Sequence, residues 1–127
     1  MVTITALVLD PYRPLLDLIK EVLERDGHRV HVAGNLEDAV MVLREYGSGN
    51  FQLIMADPET PGPGMGGYAL VALLRKRYPR LKFLFMVSRG GLVSLDLPLL
   101  TGGEIPLLEK PFDLTDLHSA VAKALSL

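Results

Sequence analysis

Asp10, Asp57, Ser88 and Lys110 stand far apart along this chain, and each closes or follows an apolar run. Their chemistry converges on phosphorus. A carboxylate can attack a phosphoryl group, a hydroxyl can hydrogen-bond a phosphoryl oxygen, and an ammonium can neutralise its charge. Asp57 is the most telling of the four. Phe51 and then Leu53 to Ala56 form an apolar run suited to a strand buried on both faces, and the Pro/Gly loop PETPGPGMGG follows the aspartate directly. A carboxylate at the carboxyl end of a central strand, opening a loop that leads into a helix, lies where open α/β sheets place their ligand chemistry.

Alternating strands and helices must position these residues. Ile4 to Leu9 reads as a first buried strand ended by Asp10-Pro11, so Asp10 mirrors Asp57. Leu15, Leu16, Ile19, Val22 and Leu23 recur at helical spacing, and Gly27 closes that helix. Val30 and Val32 alternate with Arg29 and His31, the pattern of a strand with one wetter face, at a sheet edge. Asn35 caps a second helix with the apolar stripe Leu36, Ala39, Val40 and Leu43, ended by GSGN at 47–50. Tyr68 to Tyr78 forms a third helix stopped by Pro79, and Leu81 to Val87 a fourth strand. The stretch from Ser88 to Gly103 carries glycines at both ends and Pro98 inside, so a helix there is expected to be short or irregular. Ile105 to Leu108 reads as a fifth strand ended by Lys110-Pro111, and Asp113 caps a last helix with the stripe Leu114, Leu117, Val121, Ala124 and Leu125. Such alternation implies right-handed βαβ crossovers and a five-stranded parallel sheet with helices on both faces.

Composition narrows the function. The 127 residues suit a single domain over 1–127, and 49% hydrophobic against 22% charged residues argues against disorder. A net charge of −2 argues against direct nucleic-acid binding. The absence of cysteine excludes a disulfide framework, a Cys-ligated zinc and a thiol nucleophile, and fits a reducing cytoplasm. The opening MVTITALVLD has no basic n-region and reaches Asp10 too soon for a signal peptide or a membrane span.

Taken together, the strand-end residues and their spacing make the chain from Ile4 to Leu125 resemble the receiver domain of bacterial two-component response regulators. The resemblance implies the flavodoxin-like, doubly wound fold with strand order 2-1-3-4-5. It implies a signalling module rather than an enzyme, taking a phosphoryl group from a sensor histidine kinase or histidine phosphotransfer protein. Asp57 matches the phosphoacceptor, Ser88 the switch Ser/Thr, and Lys110 the phosphoryl-contacting lysine of a Lys110-Pro111-Phe112 signature whose Lys-Pro bond is typically cis. Pro61 matches the loop proline and Gly67 the glycine that opens the third helix. Asp10 matches the first of an acidic pair on strand one.

Three departures accompany these matches. The second acid of the pair falls on Pro11, which removes one ligand for Mg²⁺, so the expected metal set is Asp10, Asp57 and Glu59, with weak binding. The loop around Pro63-Gly64 is longer than usual by two residues. The family's switch aromatic, three residues before the lysine, is Leu107. Pro11 and Leu107 keep a second reading open, a phosphorylation-independent pseudo-receiver that acts as a protein–protein interaction module. A third reading, a small nucleotide- or flavin-binding protein, rests on Gly62, Gly64 and Gly67 alone. It is disfavoured by Pro63 and by the lack of an acidic residue about 20 positions beyond the glycines. His28, His31 and His118 form no metal triad by spacing and are taken as surface residues.

Overall fold

The computed structural model describes residues 2–63, 66–88 and 105–127. In chain order the elements are β1 (Thr5–Leu9), α1 (Arg13–Arg25), β2 (Arg29–Ala33), α2 (Leu36–Tyr46), a 3₁₀ turn (Ser48–Asn50), β3 (Leu53–Ala56), α3 (Gly67–Arg77), β4 (Lys82–Ser88), β5 (Leu107–Lys110) and α4 (Leu114–Ser126). The short or irregular helix expected before the fifth strand, and the position of Gly64, lie outside the described residues.

All strand pairs are parallel, and the sheet order is β2-β1-β3-β4-β5. This is the flavodoxin-like order that the family resemblance implies. Successive residues of a strand point to opposite faces, so each central strand feeds two cores. On one face Leu7, Leu9, Ile54, Ala56, Phe83 and Phe85 pack beneath α2 and α3 through Leu36, Leu43, Val71 and Leu74. On the other, Ala6, Val8, Leu53, Met55, Leu84 and Met86 meet Leu16, Ile19 and Leu23 of α1 and Leu117, Val121 and Ala124 of α4.

Local signals set most boundaries. The Asn35 side chain accepts from Asp38 N–H at 2.8 Å, and Asp113 forms a reciprocal capping box with Asp116. Gly27 and Gly47 take positive φ after α1 and α2. The fifth strand sits two residues later than its apolar run suggests, at Leu107–Lys110 instead of Ile105–Leu108. Pro106 has no N–H to offer a ladder, and only its carbonyl joins the sheet, accepting from Phe85 N–H at 3.0 Å. Leu114, placed in the apolar stripe of the last helix, stands exposed as its first residue.

Two histidines depart from the simple surface reading. His28 accepts from the Ile4 N–H through Nδ1 at 3.2 Å. His31 is half-buried, its ring centroid 4.1 Å from that of Tyr46 and 5.7 Å from that of Phe51. Burial and then the Lys20 charge lower its pKa, against the opposing pull of Glu45 and Glu24. His118 is a surface residue, its Nε2 2.8 Å from Asp26 Oδ2. Among the described residues, no helix is long and apolar enough to cross a membrane.

Candidate phosphoacceptor site

Neighbouring strands bring the two aspartates together. Leu9 and Ala56 are register partners at the carboxyl ends of β1 and β3, and the next residue of each strand is an aspartate. The ladder continues one step into both. Asp10 N–H donates to Ala33 O at 3.1 Å and Asp57 N–H to Leu9 O at 2.8 Å. Their backbones are therefore fixed by the sheet rather than by a loop, and their side chains emerge side by side. Asp10 is fully buried and Asp57 is 6% exposed.

Each carboxylate is then aimed by an identical local device. Asp10 Oδ1 accepts from the Tyr12 N–H at 2.8 Å, and Asp57 Oδ1 accepts from the Glu59 N–H at 2.8 Å. Both are Asx turns in which the side chain bonds the backbone two residues on. The intervening residue is proline in both cases, Pro11 and Pro58, with φ preset near −65° and no N–H to compete for the oxygen. The repeated Asp-Pro dipeptide is visible in the sequence and was the signal available for this geometry.

With Oδ1 held, Oδ2 of each aspartate turns to the same cation. Lys110, the last residue of β5, reaches across the end of β4 and places Nζ 2.5 Å from Asp10 Oδ2 and 2.9 Å from Asp57 Oδ2. Its side chain is 20% exposed. Burial works against the charge on Lys110, but the hydrogen bonds and charges of Asp10 and Asp57 outweigh it and raise its pKa. The Lys110-Pro111 peptide bond is cis.

Ser88 and Glu59 stand apart from this network. Ser88 pairs in register with Lys110 at the end of β4, so it shares the rim, yet it is exposed and its hydroxyl makes no hydrogen bond among the described residues. Glu59 contributes its backbone N–H to Asp57 while its side chain is exposed and forms no ion pair among the described residues. The structure thus brings Asp10, Asp57 and Lys110 into direct contact and leaves Ser88 and Glu59 at the edge.

The loop after Asp57 is packed tightly enough to explain Gly62, Gly66 and Gly67. A Cβ on Gly66, where φ is +64°, would meet Thr60 O at 2.2 Å, and one on Gly67 would meet Asp57 O at 2.7 Å. A Cβ on Gly62 would meet the Leu36 side chain at 2.6 Å. Gly67 N–H donates to Thr60 O and Thr60 N–H to Asp57 O, which folds the loop back over Asp57. Close packing accounts for Gly62, Gly66 and Gly67 without a nucleotide. Thr60 is buried beneath them, and its hydroxyl has no hydrogen-bond partner among the described residues.

The donor set does not suit Mg²⁺ in this arrangement. That ion asks for near-octahedral oxygens at about 2.0–2.1 Å. Here all four oxygens of the two carboxylates already accept a hydrogen bond, two of them from an ammonium. Among the described residues, no three His, Cys, Asp or Glu side chains group where a metal would sit.

Comparison with known proteins identifies the family. A family model described as the response regulator receiver domain matches residues 6–122. The response regulator protein FleR of Pseudomonas aeruginosa is 31% identical over 117 residues, covering 92% of this chain and 24% of FleR. The DNA-binding transcriptional regulator NtrC of Azospirillum brasilense is 31% identical over 122 residues, covering 96% of this chain and 24% of NtrC. The chain thus spans about a quarter of the length of the curated relatives it matches. A crystal structure of a response regulator from Thermotoga maritima superposes with a TM-score of 0.76 at 27% identity, covering 99% of this chain and all of that one.

Proposed function

The chain belongs to the response regulator receiver domain family, and from that membership we propose that Asp57 is its phosphoacceptor in a two-component relay. The observation that supports this reading best is the placement of Asp57 at the end of the central strand with Lys110 Nζ 2.9 Å from its Oδ2. A carboxylate oxygen of Asp57 attacks phosphorus of a phosphohistidine on a sensor kinase or phosphotransfer protein. The P–N bond breaks, the imidazole leaves and takes a proton, and Asp57 carries an acyl phosphate. Catalysis of such a transfer is largely positioning and charge neutralisation. Both are present in the Asx turn that fixes Asp57 and in the ammonium that already faces it.

Lys110 neutralises the incoming phosphoryl oxygens, and the exposed Ser88 hydroxyl at the rim donates to one of them once the group is attached. Asp10 holds Lys110 in place from the opposite side. The module acts in the cytoplasm as a single domain over residues 1–127 and passes its state to a downstream protein.

Intact-mass analysis after incubation with acetyl phosphate and Mg²⁺ tests the assignment. One phosphoryl adduct is expected on the wild-type protein and none on Asp57→Asn. An adduct that persists in the variant moves the acceptor elsewhere. No adduct on the wild-type protein favours the phosphate-independent interaction module instead.

A further inference from the structure

Receiver domains as a family typically bind Mg²⁺ at their acidic pocket. In this chain we infer that Lys110, and not a divalent cation, is the counter-charge of the resting pocket. The inference rests on reading this pocket as the acceptor site, and it concerns what occupies that site before any phosphoryl group arrives.

Charge is the first argument. Two carboxylates and one ammonium leave the cluster at −1, because Pro11 brings no third acid and Glu59 faces solvent. A divalent cation added beside the ammonium would leave the cluster at +1 in a buried place, where unbalanced charge is costly. A pocket with one more carboxylate would instead come out neutral.

Geometry is the second. Both Asp-Pro turns tie down Oδ1 and present Oδ2 to a single point, and Lys110 Nζ occupies that point at 2.5 and 2.9 Å. The two Asx turns thus form a clamp for one ammonium. Pro11 acquires a positive role in this arrangement. It stiffens the turn that orients the buried carboxylate of Asp10. A metal at that point would have to displace Lys110 from the two Oδ2 atoms it already bonds.

The test removes the ammonium and asks whether a metal takes its place. Thermal melts and isothermal titration calorimetry with MgCl₂ are run on the wild-type protein and on Lys110→Met. The wild-type midpoint should not respond to millimolar MgCl₂. The variant, with two buried carboxylates left facing each other, should melt lower without metal and recover with it, binding Mg²⁺ at least about tenfold more tightly than wild type. The inference is overturned if MgCl₂ stabilises the wild-type protein as much as the variant, or if wild type binds the ion more tightly. Should Lys110→Met fail to fold, the wild-type titration decides alone. Saturable stabilisation at millimolar MgCl₂ sinks the inference, and a flat midpoint supports it. Neither readout requires phosphorylation, so a protein that takes a phosphoryl group on Asp57 yet is stabilised by Mg²⁺ loses this inference and keeps the functional assignment. A protein that fails the mass test but shows the metal-rescued variant does the reverse.

Discussion

Replacing Pro11 by aspartate should turn the ammonium clamp toward metal binding. The new carboxylate stands next to Asp10 at an exposed position and takes the cluster from −1 to −2. A unit charge about 4 Å from another contributes roughly 1 kcal/mol in bulk water and roughly 4 kcal/mol at the effective dielectric of a protein surface. A divalent ion doubles that attraction, and dehydration of the new carboxylate removes much of it. A net gain near 1.4 kcal/mol, or tenfold in affinity, is therefore a low expectation. The same change has a cost without metal. Losing the proline frees the unfolded chain by about 0.4–1 kcal/mol and brings two like charges together. The variant should thus melt below wild type in chelator and gain in MgCl₂. Pro11→Asn separates the two contributions, because it loosens the backbone equally and adds no charge. Calorimetry at low ionic strength reads all three proteins. If Pro11→Asn tightens Mg²⁺ as much as Pro11→Asp, backbone freedom and not charge limits the site. If wild type already binds as tightly as Pro11→Asp, Glu59 or solvent completes the coordination and the charge argument fails.

Two further outcomes follow from the same geometry. Thr60→Val keeps the shape of a fully buried side chain while deleting a hydroxyl that has no partner among the described residues, so it should stabilise by about 1 kcal/mol, seen as a rise of roughly 2–5 °C in the melting midpoint; a lower midpoint would show that the hydroxyl is satisfied in solution. The pKa of Lys110 is raised in the folded state, so its stabilising contribution is complete below the unfolded lysine value near about 10.4 and is lost as pH climbs through the higher folded value. The stability gap between wild type and Lys110→Met should accordingly narrow in denaturant titrations taken from neutral into strongly alkaline pH, and a gap that stays constant or widens would contradict the clamp.

The fold was legible where its causes are local, and the site only in part. Buried strands announce themselves as unbroken apolar runs, and Leu53–Ala56 needs nothing beyond its own residues to be read that way. Asn35 and Asp113 cap their helices as their positions foretold, since the bond runs only three residues forward. The fifth strand slipped by two residues because its apolar run includes Pro106, whose missing N–H outweighs hydrophobicity in a ladder. His31 looked like the polar half of an alternating edge strand, but Tyr46 and Phe51, distant in sequence, cover its ring. At the site, the identities of Asp10, Asp57 and Lys110 could be read from strand ends, whereas their joint contact depends on the register of β1 against β3 and of β4 against β5, which no single stretch encodes. Pro11 shows the difference most clearly. As one position in a family pattern it registers as a lost ligand, a subtraction. Beside Asp57-Pro58 it becomes half of a repeated Asp-Pro turn, each turn holding one carboxylate oxygen and directing the other to Lys110. A residue that departs from its family's chemistry can therefore serve the same pocket by backbone geometry, and that role becomes visible only when both turns are seen to face one ammonium.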